Sequence, residues 1–260
     1  MAKIMAVVNL TPDSFFAPSR VRARDAGERV RALLDAGADV IDLGAVSTRP
    51  GAAPVSLWTE WRRLAPVVRA WDRTVPLSVD TTRAEIVRRV HACTGPFWVN
   101  DISAGEDDPA MLETVGRLGL SYVAMHKRGD PRTMDSRTDY PEGVIPALVA
   151  YFTDFSRKAE RAGIADWILD PGLGFAKTAA QNWEILEKLE ALRVFGRPIL
   201  IGAADKRFTG GDTEKANRLA LEHGADILRV HDVPAAMRTA RASVAEDGAG
   251  IGFSANLSEK

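Results

Sequence analysis

Eight short apolar runs, at 4–8, 39–43, 76–79, 97–99, 121–125, 167–169, 198–201 and 226–230, alternate along the chain with helix-like stretches. The helical spacings fall at 23–36, 57–71, 83–91, 109–118, 142–162, 179–193, 213–223 and 234–246. The helix at 142–162 must tolerate or be bent by Pro146. The apolar runs lack the alternation of a half-exposed strand, which fits strands covered on both faces, as in a parallel sheet. Eight βα units in 260 residues match a single-domain α/β fold, the (β/α)8 or TIM barrel. The barrel is predicted over 1–246, and the Gly- and Ser-containing tail at 247–260 is predicted to be mobile. A doubly wound open sheet is the alternative; no Gly-x-Gly-x-x-Gly opens the first helix, which counts against a dinucleotide fold.

Composition narrows the class further. Hydrophobic residues make up 46% of the chain, enough for a large core. A net charge of −1 gives no sign of nucleic acid or an anionic membrane as partner. The one cysteine, Cys93, excludes an internal disulfide framework and a Cys-rich metal site, and suits a reducing compartment. The first apolar run is too short to span a membrane. These readings predict a cytoplasmic protein. No His/Cys cluster has zinc spacing, and Ser47 and Ser78 have no histidine at a spacing that suggests a nucleophilic triad.

Polar residues gather at the strand ends: Asn9, Asp80, Asn100, His126, Asp170, Lys206, Arg229 and His231. In a (β/α)8 barrel these all face one rim, where ligand sites are built. Each alone is more simply a loop or helix cap; together they outline a site. Asp80, Asn100, Asp170 and Lys206 suit a flat heterocycle with N–H donors and a carbonyl acceptor. Arg49, Arg229, His231 and Asn9 suit an anion such as phosphate. The stretch from Trp167 to Thr178 is the centre of this reading: a strand ends at Asp170, and Pro171, Gly172 and Gly174 turn the backbone before the next helix.

The motifs Asn9-Leu-Thr-Pro-Asp-Ser-Phe15, Ser47-Thr-Arg-Pro-Gly51, Ser78-Val-Asp-Thr81, Asn100-Asp101, Leu169-Asp-Pro-Gly-Leu-Gly-Phe175 and Arg229-Val-His-Asp232 resemble, in order, the signature blocks of the dihydropteroate synthase family. The resemblance covers nearly the whole chain. It implies a TIM barrel, a homodimer, Mg2+, and the joining of 6-hydroxymethyl-7,8-dihydropterin pyrophosphate to p-aminobenzoate with release of pyrophosphate. It implies that Asp80, Asn100, Asp170 and Lys206 hold the pterin. It also implies that Asn9, Arg49, Arg229 and His231 hold the pyrophosphate, with Asn9 near the metal, and that Thr48, Pro50 and Phe175 border the arylamine. Asp170, Lys206 and Arg49 are then the expected catalytic residues.

The chain departs from the family pattern in places. Ala17 stands where an Asp is usual, Ala45-Val46 replaces Gly-Glu, and Ala204-Asp205 precedes Lys206 where Ser-Arg is usual. The segment at 210–213 is shorter, so the seventh helix is expected to begin late. The altered residues belong to the arylamine half, which predicts weak p-aminobenzoate and sulfonamide binding. Two alternatives follow from the same residues: a pterin transferase using another arylamine, as in a methanopterin-type pathway, or a pterin-binding paralogue without synthase activity.

Overall fold

The computed structural model describes residues 2–11, 25–46, 55–129, 133–204 and 206–249. Eight parallel strands follow in order: β1 (Lys3–Asn9), β2 (Val40–Gly44), β3 (Leu77–Asp80), β4 (Trp98–Asp101), β5 (Ser121–Met125), β6 (Trp167–Asp170), β7 (Leu200–Ile201) and β8 (Ile227–Val230). They pair in the order β6-β5-β4-β3-β2-β1-β8-β7. A bridge between Leu169 and Ile199 joins the two outer strands, so the sheet is a nearly closed barrel. The expected eight-unit alternation is therefore the observed architecture.

The helices cover the outside: α1 (Ala26–Asp35), α2 (Leu57–Arg69), α3 (Ala84–Thr94), α4 (Met111–Leu118), α5 (Val144–Ala162), α6 (Ala179–Glu187), α7 (Thr213–Glu222) and α8 (Val233–Ala249). α5 tolerates Pro146 and runs without interruption. The proline is the third helical residue, where a backbone N–H has no partner within the helix to lose. The helix expected over 179–193 ends earlier: α6 stops at Glu187, and a 3-10 helix, Leu189–Phe195, carries the chain to Gly196. The eighth helix runs to Ala249, beyond the expected barrel boundary at 246; the rest of the expected tail lies outside the described residues.

Side chains alternate between the two faces of each strand, and this separates two kinds of core. Between strands and helices lies the main apolar core, with Ile41, Leu43, Val79, Val99 and Leu169 fully buried. Inside the barrel lies a second cluster of Met5, Val40, Val123, Ile168, Leu200 and Ile227, with Trp98 against it. Two residues further along the strands, the same face carries Asp42, Asn100, Asp170 and Arg229. The interior is thus apolar at one end and polar toward the C-terminal mouth. Buried polar groups must be paired, and their pairing forms the site.

Candidate active site

Strand register places the polar residues side by side. Asn9 pairs with Gly44, Gly44 with Asp80, and Asp80 with Asn100, giving one row across β1 to β4. Gly44 leaves room in that row: a Cβ there would come within 3.2 Å of Asn9 Oδ1, so the asparagine would have to give way.

The hub is Asp42, in the middle of β2 and fully buried. Its Oδ1 accepts from Ser78 Oγ at 2.6 Å. Its Oδ2 accepts from Asn100 Nδ2 at 3.2 Å and from Arg229 Nε at 2.8 Å. Arg229 Nη2 then reaches Asp80 Oδ2 at 2.9 Å. Asp42 was not among the expected site residues. Its signal was present: a charged residue inside the apolar run Val40-Ile-Asp-Leu-Gly44 requires a buried partner.

Arg229 was expected at the anion end. It is clamped between two carboxylates, through Nε to Asp42 and Nη2 to Asp80. Burial, with Asp42, Asp101 and Glu60 nearby, raises the pKa of Asp80 against the pull of Arg229. Two carboxylates on one guanidinium make this end of the mouth richer in negative charge than a simple anion pocket.

Asp170 ends β6 and is buried. Its Oδ1 accepts the Gly172 N–H at 2.7 Å. Burial raises its pKa, while that N–H, Lys206, Arg229 and Lys177 hold the charge. The turn after it depends on glycine. Gly172 has φ +70°, and a Cβ there would fall 2.1 Å from the His126 carbonyl oxygen. This close approach keeps the β6 turn against the end of β5.

Lys206 lies half-buried after β7, with Nζ 4.5 Å from the centre of the Phe175 ring. Burial and Arg229 lower its pKa to about 8, against Asp170 and Asp80. Phe175, expected beside the arylamine, is buried in a small cluster with Met125, Met134 and Ala176, under the lysine. A second lysine, Lys177, was missed because it reads as an ordinary residue preceding a helix. It is buried, and its Nζ touches His126 Nδ1 at 2.9 Å, Gly172 O at 3.0 Å and Phe175 O at 2.9 Å.

His231 follows β8. It lines a cavity of about 220 Å3 between α7 and α8, with Ala204, Asn217 and Thr239, and a second cavity beside α1. Asp80, Asn100, Asp170, Lys206 and Arg229 line neither cavity. The described residues contain no group of three or more His, Cys, Asp or Glu placed to hold a metal. Arg49, Thr48 and Pro50 lie outside the described residues, as do Ala17 and Asp205.

Comparisons with known proteins agree with this geometry. The family model for "Pterin binding enzyme" matches residues 5–231. The dihydropteroate synthase of Synechocystis is 36% identical over 249 residues, covering 89% of this chain and 86% of that protein. A folic acid synthesis protein of Pneumocystis carinii is 39% identical over 88% of this chain, which spans 34% of that longer protein. Among solved structures, Yersinia pestis dihydropteroate synthase with a sulfonamide drug complex superposes with a TM-score of 0.86 at 32% identity, covering 95% of this chain and 94% of that one. The chain belongs to the dihydropteroate synthase family of pterin binding enzymes.

Proposed function

We propose that this protein joins a 6-hydroxymethyl-dihydropterin pyrophosphate to p-aminobenzoate, releasing pyrophosphate, as a transferase of folate synthesis. The observation that carries the reading is the convergence of Asp80, Asn100, Asp170 and Arg229 at one barrel mouth, through Asp42 and the β6 turn. Asp80, Asn100, Asp170 and Lys206 hold the pterin. Asn9, Arg49 and Arg229 meet the pyrophosphate, with His231 at the β8 end. Thr48, Pro50 and Phe175 border the amine. As pyrophosphate leaves, positive charge develops on the pterin, and the buried Asp170 carboxylate stabilises it.

Mg2+ fits this donor set. It keeps several waters and takes one or two protein oxygens plus substrate phosphate oxygens. Asn9 offers a carbonyl oxygen beside Gly44 at the rim. Bound there, Mg2+ would supply positive charge to offset that of the departing pyrophosphate. A free thiol at Cys93 and water-soluble substrates support a cytoplasmic enzyme. Among the described residues no helix is long and apolar enough to cross a membrane. The family resemblance supports a homodimer, which sedimentation in solution tests.

Ala204 favours a second reading. It offers no side-chain hydrogen bond next to the amine side, so an arylamine without a carboxylate is the competing acceptor. Turnover with p-aminobenzoate and with uncharged anilines, at equal pterin pyrophosphate and Mg2+, separates the two.

A further inference from the structure

The turn after β6 has an unusual backbone. Gly172, Gly174 and Ala176 all have positive φ, at +70°, +76° and +52°. Ala176 is not glycine, so this conformation costs of order 1 kcal/mol or more there. Something must hold it. Four side chains do. Asp170 Oδ1 accepts the Gly172 N–H. Asn182 Oδ1 accepts the Gly174 N–H at 2.7 Å. The Tyr140 hydroxyl donates to Ala176 O at 3.0 Å. Lys177 Nζ donates to the carbonyls of Gly172 and Phe175.

Lys177 is the cation of this set, and nothing in the proposed chemistry uses it. Its third contact is His126 Nδ1. An ammonium has three N–H donors and no acceptor, and three acceptors surround it. A neutral amine has two donors and one lone pair. The carbonyls can only accept, so in that state His126 must donate through Nδ1–H. The three contacts therefore survive loss of the lysine proton if His126 changes tautomer.

We infer that Lys177 is a positioning residue: its contacts with Gly172, Phe175 and His126 hold the strained turn that aims Asp170 at the pterin. This rests on the reading of Asp170 as a pterin ligand. The charges around the pair fit a lysine that can lose its proton while His126 stays neutral. Burial lowers the pKa of Lys177 to about 7, with Asp170 opposing and Lys206 and Arg128 assisting. Burial, then Lys177 and Arg128, holds His126 far below the usual imidazole range, so it stays neutral. The Tyr151 ring meets His126 edge-on at 4.8 Å, and the Tyr140 ring lies 6.2 Å away.

The test is Lys177→Met in the full chain, read two ways. Hydrogen exchange at the Gly172 and Gly174 amides reports the turn without any ligand, and calorimetry with the pterin pyrophosphate reports the site. Exchange should quicken at least tenfold at both amides, and pterin affinity should fall at least tenfold. Adding Ala176→Gly, which removes the strain, should restore at least threefold of that affinity. The nitrogen shifts of His126 should show a change of tautomer near pH 7 in the parent and none in the variant. If Lys177→Met does not fold cooperatively, His126→Leu carries the test; it removes one acceptor and should move exchange in the same direction. Unchanged exchange overturns the inference, as does unchanged affinity in a variant of altered exchange. If the parent binds no pterin, the pterin reading fails, and the exchange result still decides whether Lys177 holds the turn.

Discussion

Arg229 and Asp80 meet at 2.9 Å across the barrel mouth, one from β8 and the other from β3. The cation proposed for the pyrophosphate end and a carboxylate proposed for the pterin end are thus one connected pair, with Asp42 as its buried anchor at 2.7 Å.

Removing Arg229 should therefore harm more than anion binding. Breaking a buried ion pair by deleting one partner costs about 3–5 kcal/mol. The Arg229 side chain is 25% exposed, which places the expected loss for Arg229→Met at about 3 kcal/mol after allowing for solvent screening. Chemical denaturation checks this. A loss under about 1 kcal/mol means the clamp does not stabilise the barrel.

Asp42 touches Ser78, Asn100 and Arg229, and no role in substrate contact is assigned to it. Asp42→Asn keeps the shape and turns one acceptor oxygen into a donor NH2 facing other donors. An unsatisfied buried group costs about 1–3 kcal/mol. The expected outcome is reduced stability of that size, with a raised KM for the pterin pyrophosphate as Asn100 and Arg229 shift. An unaltered KM contradicts the hub role.

Asp170→Asn should weaken pterin binding about ten- to hundredfold, because a carboxylate accepting ring N–H groups becomes a mismatched amide. Calorimetry measures this without turnover. Parent-like affinity removes Asp170 from the pterin site.

Much of this site is legible in the sequence, for a topological reason. In a parallel barrel every strand ends at the same rim, so Asn9, Asp80, Asn100 and Asp170 could be grouped from position alone. Their partners could not. Asp42 lies mid-strand, and only the register between β2, β3 and β4 brings it beside Ser78 and Asn100. Lys177 sits one residue before the Thr178 cap of α6, and folding the turn back onto His126 makes it a buried residue. His231 was grouped with Arg229 because only Val230 separates them; it lies just past the end of β8, where it lines the cavity between α7 and α8.

Lys206 gives the site a pH dependence of defined sign. Burial and Arg229 lower its pKa to about 8, so it is cationic below that pH and neutral above it. If the cation donates to the pterin carbonyl, kcat/KM for the pterin substrate should fall as pH rises through about 8, since this parameter reports the free enzyme. Lys206→Arg should move that limb to much higher pH, and Lys177→Met should leave its position unchanged. A flat profile through pH 9 contradicts the assignment.

The family resemblance puts the Ala204 and Asp205 departures on the proposed amine side. Losing a hydrogen bond to a charged group costs about 1.5–3 kcal/mol, or roughly ten- to hundredfold in p-aminobenzoate affinity. Ala204→Ser with Asp205→Arg should lower the KM for p-aminobenzoate and tighten sulfonamide inhibition. Ordinary micromolar p-aminobenzoate turnover and tight sulfonamide inhibition in the parent would show that these substitutions do not govern the amine side.

The transferase reading itself stands or falls on pyrophosphate release from the pterin substrate, followed with Mg2+ in the presence and absence of p-aminobenzoate. Release that depends on the amine, matched mole for mole by dihydropteroate, is the expected result. Pterin binding with neither release nor coupled product, for p-aminobenzoate and for uncharged anilines alike, would make the chain a pterin-binding protein and contradict its assignment as a synthase.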